Sequence, residues 1–203
     1  MNLPLNSGEK YALIAVEAVT DLKGEIDLGE GLFAIRGGGL RLPDDWKGWL
    51  GSLESDAIER SNLVLLAKMP SGRPTVLDAE NQLLQNRTNW LFWSLLASTR
   101  VWTKGGGTQL TGGRESGEIS VNQQGRMSPI VLLPGLPRVR ISEAHLRRAA
   151  SLSLNLCDLI SRPRMRRAKW AIQTFWSAFE EGNLGERIHQ FVRVVSDGFA
   201  KAF

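Results

Sequence analysis

The sequence predicts an α+β protein, with a β-rich N-terminal part holding two helices over residues 1–137 and a basic, three-helix bundle-like region over residues 138–203. Three observations carry this. Apolar runs rich in β-branched residues dominate the start of the chain. Helical spacing of apolar residues takes over after Pro134 and Pro137. The charge also changes sign along the chain: residues 1–70 hold 7 basic and 11 acidic side chains, residues 71–137 hold 6 and 4, and residues 138–203 hold 12 and 6. The length, 203 residues, and an apolar fraction of 42% suit one compact domain or two small ones.

Taken in order, Tyr11–Thr20 reads as a well-covered strand, Gly24, Gly29 and Gly31 as a turn region, and Leu32–Arg36 as a second strand before Gly37-Gly38-Gly39. Pro43 and the Asp44-Asp45 pair open a helix, because proline is pre-set for a first turn and carboxylates complement the helix dipole there. Trp46, Trp49, Leu50, Leu53 and Ala57 recur at helical spacing along it, which makes both tryptophans core anchors. Leu63–Met69 is an apolar run suited to a buried strand. Asp78 is a favourable N-cap for a helix reaching about Ser98, and Trp90–Ala97 is apolar all round, implying burial on every side. Residues 104–128 are glycine-rich and polar, which fits hairpins or an ordered long loop. Ser142 caps a helix reaching about Ile160, Pro163 opens another ending near Glu181 and Gly182, and a last helix runs from about Gly185.

Composition removes several classes of function. One cysteine, Cys157, leaves no internal disulfide, and with two histidines it leaves no zinc site built on His and Cys ligands. No metal or other cofactor is expected. Met1–Lys10 has no basic start followed by an apolar core, and no apolar run is long enough to span a bilayer, so the expected setting is cytoplasmic, without membrane contact. The glycines from Gly105 to Gly113 do not form a Walker loop, since Lys104 precedes them; turns with positive φ between short strands explain them more simply. Gly-x-Ser-x-Gly is absent.

The chemistry concentrates in the last third. Arg162, Arg164, Arg166, Arg167 and Lys169 cluster at the start of a helix whose apolar face is Met165, Ala168, Ile172, Phe175, Trp176 and Phe179. Trp170 falls on the other side, among the arginines. Cations are disfavoured at a helix N-terminus, and core demand does not place a tryptophan there. Two uses fit: a stacking platform over a phosphate-binding surface, or packing on the N-terminal part with the arginines paired to its acidic residues. Four residues separate Arg140 from His145, and six separate Arg138 from it.

The segment Arg187-Ile188-His189-Gln190-Phe191-Val192-Arg193-Val194-Val195, after a Trp/Phe-rich helix, resembles the late helices of HEPN-type modules in prokaryotic defence proteins, over about the last 60 residues. The resemblance implies a four-helix arrangement, often dimeric, with RNA binding or cleavage. An Arg-x4–6-His spacing is the ribonuclease motif of that superfamily, which makes Arg140 and His145 the candidate catalytic pair. Three functions stay open: a non-catalytic nucleic-acid-binding or assembly subunit, with RNA the favoured partner; a metal-independent endoribonuclease; and a scaffold component binding another protein chain or a second copy of itself.

Overall fold

The computed structural model describes residues 3–37, 44–99, 107–126, 140–162 and 166–180, with isolated positions at 186, 189, 190 and 194. It is an α+β fold whose described strands form one six-stranded antiparallel sheet in the order β2-β3-β4-β1-β5-β6. The strands are β1 (Glu9–Val16), β2 (Glu25–Gly29), β3 (Leu32–Arg36), β4 (Leu63–Pro70), β5 (Gly107–Arg114) and β6 (Ile119–Arg126). The helices are α1 (Asp44–Leu50), α2 (Ser52–Glu59), α3 (Ala79–Thr99), α4 (Glu143–Ser161) and α5 (Arg166–Glu180).

The central pair explains the apolar runs. β1 lies between β4 and β5, with Leu13 in register with both Leu66 and Leu110, and helices cover both faces of the sheet. Every residue from Lys10 to Val16 is therefore buried, and strict alternation gives way to a continuous run. On one face Ala12, Ile14, Leu65 and Ala67 meet α3 and α4 through Leu84, Leu91, Phe92, Leu95, Leu146, Ala149 and Ala150. On the other face Leu13, Leu66 and Leu110 meet Trp46, Leu50 and Ile58 from α1 and α2, with Leu3 and Leu5. Residues 91–96 are buried on all sides because α3 is sandwiched between sheet and α4. Full burial of a side chain such as Leu91 or Leu146 stabilises the fold by about 1.5–3 kcal/mol.

Four expectations change. The first strand ends at Val16, not Thr20: the chain leaves the sheet to meet the start of α4, where Ile141 N–H donates to the Val19 carbonyl at 2.8 Å. The stretch read as a turn region holds β2, an edge strand exposed on alternate residues and irregular between Asp27 and Gly29, so it carries little apolar signal. The helix read as continuous from Pro43 is two helices, broken at Gly51 with φ 80°. Within α1, Trp46 and Leu50 are buried while Trp49 is 53% exposed, so only one of the two tryptophans is a core anchor; past the break, α2 buries Ser55 and Ile58 and leaves Leu53 75% exposed.

The fourth change concerns the glycines. Gly112 and Gly113 lie inside β5, not in turns, and neither has positive φ. A Cβ on Gly113 would stand 2.0 Å from the Pro74 carbonyl oxygen, and one on Gly112 would stand 1.8 Å from that of Ser120. Close backbone approach is what requires them. The expected hairpin is there, as β5 and β6. Residues 127–139, where the boundary between the two parts was placed, lie outside the described residues, as does most of the expected last helix, of which 186, 189 and 190 have helical backbone.

Candidate nucleic-acid interface

The basic surface is built on α4 and α5. Ser142 starts α4 as expected, in a reciprocal cap: His145 N–H donates to Ser142 Oγ at 3.4 Å, and Ser142 N–H donates to His145 Nδ1 at 3.2 Å. The imidazole thus takes the place that Glu or Gln fills in the usual capping box. From there Leu146, Ala149, Ala150 and Ser153 are buried toward α3 and the sheet. Ala144, Arg148, Ser151, Asn155, Asp158 and Arg162 recur at spacings of three and four and are all exposed, forming one outward stripe.

α5 packs on α4. It buries Ala171 and Ile172, while Lys169, Gln173 and Ser177 are exposed and Trp170 is 38% exposed. Successive residues turn by about 100°, so these four share one sector and the buried pair lies opposite. Position 166 stands one turn before Trp170 in the same sector. Residues 140–180 together carry eight basic and three acidic side chains.

The individual candidates fall as follows. Arg140 bridges Asp21 at 2.7 Å, with both side chains more than half exposed, whereas the His145 ring closes the α4 cap. Different partners hold the two groups of the expected catalytic pair. Arg162 pairs with Asp158 one turn earlier. Lys169 and Trp170 are on the exposed face of α5. Arg166 and Arg167 are in its first turn, with side chains outside what is described, and Arg164 lies outside the described residues altogether. Arg148 and Asn155, not singled out from the sequence, join the surface; their spacing from Arg162 along one helix face was the available signal. Arg147 is committed elsewhere, to Glu143 at 2.7 Å and to the Asp27 carbonyl at 3.2 Å.

A second charged group lies at the far end of the sheet. The Lys10 side chain is fully buried and its Nζ is 2.6 Å from Asp78 Oδ1 and 3.1 Å from Glu80 Oε2. The Lys10 hydrogen bond holds the Asp78 carboxyl below its ordinary range, and the Ser71 hydroxyl, at 2.6 Å, does most to lower that of Glu80. Burial pushes the Tyr11 hydroxyl far above its usual value while it donates to the Ser120 carbonyl at 3.2 Å. The Cys157 thiol is also raised by burial, with Arg87 acting in the opposite sense. The bonds of Lys10 and Tyr11 tie elements together.

Among the described residues no cluster of three or more His, Cys, Asp or Glu side chains could hold a metal ion, and no helix is long and apolar enough to cross a membrane. No protein-family model, curated protein or solved structure matches this chain.

Proposed function

We propose that the protein binds nucleic acid, RNA in preference to duplex DNA, through the outward sector of α5 and the exposed stripe of α4, and carries out no chemistry on it. One observation supports this above the others: α5 buries Ala171 and Ile172 yet leaves Trp170 38% exposed beside exposed Lys169. An aromatic face set among cations offers unstacked bases a platform and the backbone a counter-charge, and single-stranded RNA presents both. The ribonuclease alternative asks Arg140 and His145 to work together, whereas Asp21 and the Ser142 cap hold them separately.

The test is fluorescence anisotropy of labelled single-stranded RNA and duplex DNA with the full chain in EDTA, at two salt concentrations. Binding is expected to fall steeply with salt, since each neutralised phosphate releases counterion. Arg166→Glu should weaken all sequences alike, and Trp170→Ala should weaken single strands more than duplex, by about 1–3 kcal/mol per stacked base. Absence of binding at low salt overturns the proposal. The same samples on a denaturing gel decide between binding and cleavage: products that vanish in His145→Ala would assign the nuclease instead.

A further inference from the structure

The most exposed large apolar side chains among the described residues are Leu53, at 75%, and Leu77 and Trp49, at 54% and 53%. Trp49 and Leu53 stand on either side of Gly51, where α1 gives way to α2, and give that layer two exposed apolar side chains. The layer is acidic: residues 44–60 hold Asp44, Asp45, Glu54, Asp56 and Glu59 against Lys47 and Arg60. It covers the sheet face built from Leu13 and Leu66, whereas α3 and α4, with α5 on α4, cover the opposite face. The molecule therefore carries an acidic layer with an exposed tryptophan on one side and a basic layer with an exposed tryptophan on the other.

We infer that the α1–α2 layer docks on the α4–α5 layer of a second copy of this chain, and that RNA and this neighbour compete for the same basic surface. Complementary charge on two different patches gives a head-to-tail contact, which forms open chains or rings and not a two-fold dimer. Opposite charge draws the layers together and is screened as salt rises. Trp49 and Leu53 supply the apolar contact that pure charge lacks, and aromatic residues are enriched at such positions in interfaces. The inference rests on the α4–α5 surface being the working face, as in the proposed function.

The test is sedimentation velocity on the full chain over a range of protein concentrations, at about 10 mM and about 0.5 M salt, where the screening length falls roughly sevenfold. The expected result is an average mass that climbs with concentration at low salt and returns to that of the single chain at high salt. Leu53→Lys, at a position that contributes nothing to the core, should abolish the climb and keep RNA affinity. Adding single-stranded RNA to the parent protein at low salt should disperse the assemblies. A single chain at every concentration in low salt, an unchanged climb in Leu53→Lys, or a fixed salt-insensitive dimer each overturns the inference. RNA affinity, read by anisotropy in the Leu53→Lys protein, decides the proposed function separately.

Discussion

Lys10 Nζ and Asp78 Oδ1 stand 2.6 Å apart, joining the second residue of β1 to the N-cap of α3. The same carboxylate oxygen accepts the Glu80 N–H at 2.9 Å, and the Asp78 N–H donates to Asn81 Oδ1 at 3.1 Å. One aspartate therefore caps the longest described helix and neutralises a lysine with no solvent exposure. A buried ammonium persists only when it is paired and hydrogen-bonded, so helix start and strand register are held by the same group.

Acid should act through this group. Both carboxyls titrate below their ordinary values of 3.8 and 4.5, so protonation is easier in the unfolded chain. Their contribution is complete above pH 4.5 and is lost as pH falls through the lowered folded-state values. Lys10→Met should flatten the stability curve below pH 4.5 in urea titrations at a series of pH values. It should also be milder than Asp78→Asn with Glu80→Gln, which leaves the ammonium buried without counter-charge. Parallel acid limbs for parent and Lys10→Met would contradict the assignment.

The α4 cap is open to a direct check. Ser142→Ala removes the acceptor for His145 N–H and should cost about 1 kcal/mol, read from chemical denaturation. His145→Gln keeps a side chain able to reach back to the Ser142 N–H and should cost less than His145→Ala. Equal losses in the two His145 variants would mean that the ring does not serve the cap.

Gly113 separates close approach from turn geometry. Gly113→Ala places a methyl group against the Pro74 carbonyl and should destabilise by about 1–3 kcal/mol. Gly24→Ala, with nothing within 4 Å of the added atom, should stay within about 0.5 kcal/mol of the parent. Comparable unfolding midpoints for the two would show that the 71–77 segment yields freely.

Cys157 should be a slow thiol. Its folded-state value lies above the ordinary 9.0, so alkylation by iodoacetamide should be slower than for a free cysteine at neutral pH and should keep rising past pH 9. Arg87→Ala removes the opposing charge and should slow it further. Rapid labelling at pH 7 would rule this out.

Much of this architecture was legible in the residues alone. The runs 11–20 and 63–69 announce strands covered on both faces, although the first strand stops at Val16. Asp78 and Ser142 announce helix starts because short acceptor side chains satisfy the free N–H groups of a first turn. The all-round apolar stretch 90–97 announces a helix buried on every side, which holds for 91–96, while Trp90 is half-buried and Ala97 exposed. Lys169 and Trp170 were readable as an outward sector because helical phase is a local property. The tertiary structure decided the rest. Gly51 breaks a helix that periodicity carries straight through, so that the second helix buries Ser55 and Ile58 and leaves Leu53 outside. Gly112 and Gly113 look like turn residues until Ser120 and Pro74 approach from elsewhere in the chain. Lys10 looks like the polar end of a strand until the start of α3 brings Asp78 to it across 68 positions, and Glu80 with it. Local rules register neighbours along the sequence, whereas burial, close approach and charge pairing depend on groups that only folding brings together.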